Sequence, residues 1–98
     1  MIHLDVNKEE VVRLCGAHRV HRLALFGSVL GDRFSPASDV DVLVEFEPGA
    51  HVGFLALARL ARELSGLFGR RVDVVPAGGL KDRIRQEVLA EAEVIFEA

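Results

Sequence analysis

From Asp39 to Phe46 the chain alternates without a break: Val40, Val42, Val44 and Phe46 fall on one face, and Asp39, Asp41, Leu43 and Glu45 on the other. A period of two sustained over this length predicts a strand with one buried face, ended by Pro48-Gly49. Such a strand cannot stand alone, because its backbone groups need neighbouring strands and its valines need a second layer to cover them. The rest of the chain has to supply both.

It does so on either side. Asn7 followed by Glu10 has the form of a capping box, and Val11, Leu14, Cys15 and His18 then recur at helical spacing, which predicts a helix from about Lys8 to Ala17. Val20 to Phe26 is apolar and stops at Gly27-Ser28, a strand running into a tight turn. Gly31, Ser35 and Pro36 mark a loop, leaving room for one helical turn after Ser28. Between Val52 and Phe68 the positions Phe54, Leu57, Ala61, Leu64 and Phe68 form one helical stripe, expected to be core, and Gly69 is placed to stop that helix. Arg71 to Val75 reads as a third strand closed by Pro76. Leu80, Ile84 and Val88 then define a last helix within Leu80 to Ala92, and Val94-Ile95-Phe96 reads as a short extended tail. The order predicts an α/β (α+β) fold, a small mixed sheet with helices packed on it. The helix between the second and third strands is long enough for a right-handed parallel crossover, which would bring Asp39, Asp41 and Asp73 side by side.

With 98 residues, half of them hydrophobic, one core is feasible and two are not, so a single domain over 1–98 is expected. The formal charge of -3, with basic residues scattered, argues against direct nucleic-acid binding. Cys15 is the only cysteine, which excludes an internal disulfide and a thiolate zinc cluster, and fits a buried small hydrophobe in a reducing compartment. The longest apolar run, Phe54 to Ala58, is far too short to span a membrane, and Met1 to Asn7 has no charged-then-apolar leader. A soluble cytoplasmic protein is expected.

The two aspartates are the exception to the strand's apolar character. On one strand face they lie about 6 to 7 Å apart and repel by about 2 kcal/mol at an effective dielectric near 20. Divalent metal compensates such a pair, and carboxylates at this spacing can flank two Mg²⁺ ions for in-line phosphoryl chemistry. Asp73, in Val72-Asp73-Val74, interrupts a second strand in the same way and is the candidate third ligand. Taken singly, each aspartate could equally line a solvated face. The Gly27-Ser28 turn shifts that balance: it ends a strand eleven residues before Asp39 and offers backbone N–H groups and a hydroxyl to phosphate oxygens.

Gly27-Ser28, then Ser38-Asp39-Val40-Asp41, then Asp73 on a later strand resembles the nucleotidyltransferase superfamily that includes polymerase beta and kanamycin nucleotidyltransferase. The run LFGSVLGDRFSPASDVDVLVEF is similar to its minimal members, and RRVDVVPAGGLKDRIRQEVLAEA to their third-strand and terminal-helix region, so the likeness covers nearly the whole chain. The resemblance implies a nucleotidyltransferase-like fold, with two Mg²⁺ ions on Asp39 and Asp41. Asp73 would hold the catalytic metal and help activate the attacking hydroxyl, and Gly27 and Ser28, with Ser38, would bind the nucleotide. Three aspartates and two Mg²⁺ sum to about +1, which suits an incoming polyphosphate. It implies further that a nucleoside monophosphate, AMP from ATP, passes to a hydroxyl. Larger relatives carry an added helical domain for the acceptor, which this chain has no residues left to build. Minimal members are commonly paired with HEPN-domain proteins as antitoxin and toxin, so the expected acceptor is a tyrosine of such a partner in a hetero-oligomer. The chain has no tyrosine of its own. The competing readings are an antitoxin that only masks its partner and a free-standing small-molecule nucleotidyltransferase. Many minimal members place an arginine before the glycine and an acid in the loop. This chain reads Gly31-Asp32-Arg33, and Arg33 is the residue left to replace that arginine.

Other polar residues carry weaker signals. His3, His18, His21 and His51 have no convincing ligand spacing, and His18 reads as a helix-end residue. Arg70-Arg71 reads first as a solvated strand start and second as a phosphate contact. Leu55, Leu67 and Phe96 are candidates for an exposed apolar patch.

Overall fold

The computed structural model describes residue 4, residues 6–31 and residues 38–98, with only the backbone of Ser28 and Val29. His3, Asp32, Arg33, Ser35, Pro36 and the Ser28 side chain, singled out above, lie outside the described residues. Helix α1 spans Lys8–Ala17, strand β1 Val20–Phe26, β2 Val40–Phe46, helix α2 Phe54–Phe68, β3 Val72–Pro76, helix α3 Asp82–Glu91 and β4 Glu93–Glu97. The strands form one mixed sheet in the order β3-β2-β1-β4. β1 is antiparallel to both β2 and β4, and β2 is parallel to β3 across the α2 connection.

Local chemistry sets most of the boundaries. The Asn7 carboxamide oxygen accepts from the Glu10 N–H at 3.2 Å and starts α1. The capping box stays half-formed, because the Glu10 carboxylate turns to the Arg13 guanidinium at 2.6 Å. Glu47 to Ala50 closes a turn by a 3.0 Å bond from the Ala50 N–H, with Gly49 at φ 83 in the position where a side chain would be strained. Gly69, at φ 67, ends α2 by donating to the Ser65 carbonyl at 2.9 Å.

One sheet face packs under α1 and α2. Val40, Val42 and Val44 meet Val11, Leu14 and Cys15 of α1, Leu60, Leu64 and Phe68 of α2, and Leu23 and Leu25 of β1. Val20 joins this core against the strict alternation of β1, because an extra residue between Val20 and Arg22 shifts its register on β2. Burial pushes the Cys15 thiol up to about 11, as befits a packing residue. Leu64 is fully buried. Leu64→Ala is expected to cost about 2–5 kcal/mol in a denaturant unfolding series, the range for a leucine removed from a core that cannot collapse.

Several expectations are corrected here. Phe54 does not belong to the core stripe: it is 82% exposed, because the first turn of α2 precedes the helix's first packed residue, Leu57, and Leu60 takes the buried place beside Leu64. Of the three patch candidates only Leu55 is exposed, whereas Leu67 and Phe96 pack against the core. Val94-Ile95-Phe96 is extended, as expected, and also pairs with β1 as part of β4. On α3, Ile84 is half-exposed while Val88 packs on the sheet.

Candidate active site

The sheet face opposite α1 and α2 is covered only in part, and its three cross-strand rows differ in chemistry. The middle row is apolar: Val75, Leu43 and Ala24 are in register, and α3 lies on them through Val88, with Leu80 and Ala92 flanking it. One row away lies a charged set, Glu45, Arg22 and Glu97, in which Arg22 Nε stands 2.9 Å from Glu97 and 3.4 Å from Glu45. Arg85 of α3 adds a further cation 4.0 Å from Glu45. Opposite charges here balance one another across the strands.

On the other side of the middle row the sheet is acidic. Asp41 is paired in register with Asp73 on β3 and with Phe26 on β1, and Asp39 precedes β2 by one residue. Because β2 and β3 are parallel, both begin at this end, and the alternation that buries their valines turns all three carboxylates to the same side. Asp73 is exposed, whereas Asp39 and Asp41 are half-buried. Among the described residues no basic group pairs with any of the three. The contrast with the Arg22 row is what separates a site from a surface.

The physical consequence falls on Asp41. Burial first, then the charges of Asp73 and Asp39, raise its carboxyl above the ordinary carboxylate range. The folded protein therefore holds that proton more tightly than the unfolded chain does. Its contribution to stability is fully present below the unfolded pKa and is lost as pH rises through the raised folded value. Asp41→Asn is accordingly expected to melt a few degrees above the parent at neutral pH without metal, and the two curves should converge on acidification, as followed by thermal unfolding across pH.

Gly27 completes the site. It follows Phe26 directly, holds φ at 79, and opens the 3₁₀ turn Gly27–Leu30. A Cβ built there would stand 2.3 Å from Asp41 Oδ2, so only glycine lets the turn's backbone come against the carboxylate. Ser28 lies next in that turn, and Ser38 is half-buried before β2. Thus Gly27, Asp39, Asp41 and Asp73, expected to act together, are brought to one end of the sheet. Among the described residues no three carboxylate, imidazole or thiol groups close into a ready-made metal cage. The aspartates form an open donor set, of the kind that suits Mg²⁺, an ion that keeps several waters or takes phosphate oxygens. The described histidines stay apart from this row: His18 caps α1 and pairs with Glu63 of α2, His21 lies at the β1 irregularity, and His51 is exposed. Phe26 had no distinguishing sequence signal beyond preceding Gly27, and only the register shows that it flanks Asp41.

Comparison with known proteins gives the family and the fold. The family model described as "Nucleotidyltransferase domain" matches residues 7–95. A candidate protein adenylyltransferase of Methanocaldococcus jannaschii is 33% identical over 91 residues, covering 93% of this chain and 96% of that protein. The protein adenylyltransferase MntA of Thermococcus cleftensis is 34% identical, covering 85% of this chain and 90% of that protein. A candidate minimal nucleotidyltransferase of known structure superposes with a TM-score of 0.73 at 44% identity, covering 88% of this chain and 86% of that one. A chain from a toxin–antitoxin structure with AMP-PNP shares the fold, with a TM-score of 0.76 at 20% identity. No described helix is long and apolar enough to cross a membrane.

Proposed function

Since the chain belongs to the nucleotidyltransferase domain family, we propose that it transfers AMP from ATP to a hydroxyl of a partner protein, and that the partner is a HEPN-type toxin which this protein restrains as its antitoxin. The observation that carries the reading is the row Asp73–Asp41 with Asp39 beside it, unneutralised among the described residues and set against the Gly27 turn. The names of the adenylyltransferase relatives support the protein acceptor, and the toxin–antitoxin structures with the same fold support the partner class.

In this reading Asp39, Asp41 and Asp73 would hold two Mg²⁺ ions. When bound, the ions supply charge neutralisation for the triphosphate and for the leaving pyrophosphate. Gly27 and Ser28 offer backbone N–H groups to the phosphates, with Ser38 at the edge of the same cradle. The acceptor oxygen, oriented by Asp73, attacks the α-phosphorus. Its proton passes to Asp73 and on to solvent, the bond from the α-phosphorus to the bridging oxygen breaks, and pyrophosphate leaves. Asp41, crowded by like charges, is the group most relieved by a divalent cation.

Incubation with α-labelled ATP, Mg²⁺ and the protein encoded by the neighbouring gene tests the reading. Label is expected on a tyrosine of that partner and not on this chain, which has none, and chelation of Mg²⁺ should abolish it. An unlabelled partner whose toxicity is nonetheless suppressed would replace transfer by masking.

A further inference from the structure

Arg71 occupies a place in the site that the proposed reaction leaves without a role. β3 is an edge strand, so the acidic row ends there, with exposed Asp73 facing solvent beyond the sheet. Val72 and Val74 point into the α1/α2 core, while Val75 packs on the opposite face. By the same alternation Arg71 emerges on the acidic face, two residues from Asp73. Its backbone is fixed there: the Val40 N–H donates to the Arg71 carbonyl at 2.9 Å, so Arg71 lies alongside Asp39, and the Ser65 hydroxyl holds the preceding Arg70 carbonyl at 2.5 Å. The Arg71 side chain is exposed, and among the described residues it has no ion-pair partner, although Asp39 and Asp73 are its neighbours in the sheet. Arg22 and Arg85, in contrast, are paired on the same face.

In-line displacement settles which substrate meets it. The attacking oxygen and the leaving pyrophosphate lie on opposite sides of the transferred phosphorus. With the phosphates against the Gly27 turn, on the β1 side of Asp41, the acceptor comes from the β3 side, over the free sheet edge. We propose that Arg71 is an acceptor-recognition residue, binding a carboxylate side chain that flanks the acceptor hydroxyl in the partner protein while that hydroxyl lies against Asp73. A guanidinium is suited to the task, since its fixed fork grips a carboxylate at two points and gives register as well as attraction. It also offsets the repulsion that three aspartates would exert on an acidic segment. The inference rests on the transfer reading and adds the chemistry of the acceptor to it.

The test uses the full chain with two tyrosine peptides, one flanked by glutamates and one by lysines, and α-labelled ATP with Mg²⁺. The parent should label the acidic peptide with a kcat/KM at least about tenfold higher, R71A should level the two, and R71E should invert the order. Affinity for Mg²⁺·AMP-PNP and the melting temperature should stay near the parent's in both variants, a result that a merely structural role would not leave beside an inverted preference. A preference unchanged by R71E overturns the proposal, as does labelling of neither peptide by a protein that labels its natural partner. A loss of AMP-PNP affinity parallel to the loss of transfer also overturns it and assigns Arg71 to the triphosphate. Absence of label on the partner as well as on both peptides ends the transfer reading itself.

Discussion

Replacing Asp39 and Asp41 together by asparagine is expected to lower AMP transfer by at least about 10³-fold, measured as label on the partner protein in a single turnover. The two side chains keep their size and polarity, so the loss would report charge at the site and not a failure to fold. Asp41 is half-buried, and its carboxylate is already disfavoured, first by that burial and then by Asp73 and Asp39. The doubly neutral variant should therefore melt no lower than the parent, and Mg²⁺ should no longer raise its melting temperature. That pairing of lost chemistry with kept or improved stability is the usual signature of a site whose charges are placed for function at a cost to the fold. A variant that still transfers label within tenfold of the parent would remove Asp39 and Asp41 from the mechanism.

Gly27→Ala should have the next largest effect, for a different reason. The added methyl would stand 2.3 Å from Asp41 Oδ2, and φ of 79 is a conformation that alanine resists. Either the turn or the carboxylate has to move by a fraction of an ångström or more, and misplacement on that scale costs about 10²-fold in an oriented reaction. The expected outcome is a kcat/KM for transfer reduced by about 10²-fold, with weakened binding of Mg²⁺·AMP-PNP by calorimetry. Gly69, also at positive φ but with open space around its Cβ direction, is the control. Gly69→Ala should destabilise the α2 terminus through backbone strain while leaving the site's own constants close to the parent's.

The two substitutions show why a covered face and an open face coexist in so small a sheet. α1 and α2 both lie on the side of Val40, Val42 and Val44, and they consume most of the chain's large apolar residues. What remains for the other side is α3, which has no fully buried residue and reaches the sheet through Val88, over the small Ala24–Leu43–Ala77 patch. Partial cover leaves the end of the face with Asp39, Asp41 and Asp73 accessible to substrate. A helix that covered the row would have had to desolvate three carboxylates, at several kcal/mol each without partners.

Period and punctuation in the chain are enough to identify each helix and the three strands β1, β2 and β3, because these are local properties: a two-residue repeat in β2, a 3.6-residue stripe in α2, Asn7 and Gly69 at helix ends. They also mark the three aspartates as residues that need compensation. What the linear order leaves open is everything that depends on distance across the sheet. The placing of Asp41 directly opposite Asp73, the closeness of Gly27 to Asp41, the exposure of Phe54, the docking of Val94 to Phe96 on β1 and the place of Arg71 at the edge all follow from strand order and register. Register is decided by the simultaneous burial of valines from three strands under two helices, a sum over contacts far apart in the chain that no local pattern contains.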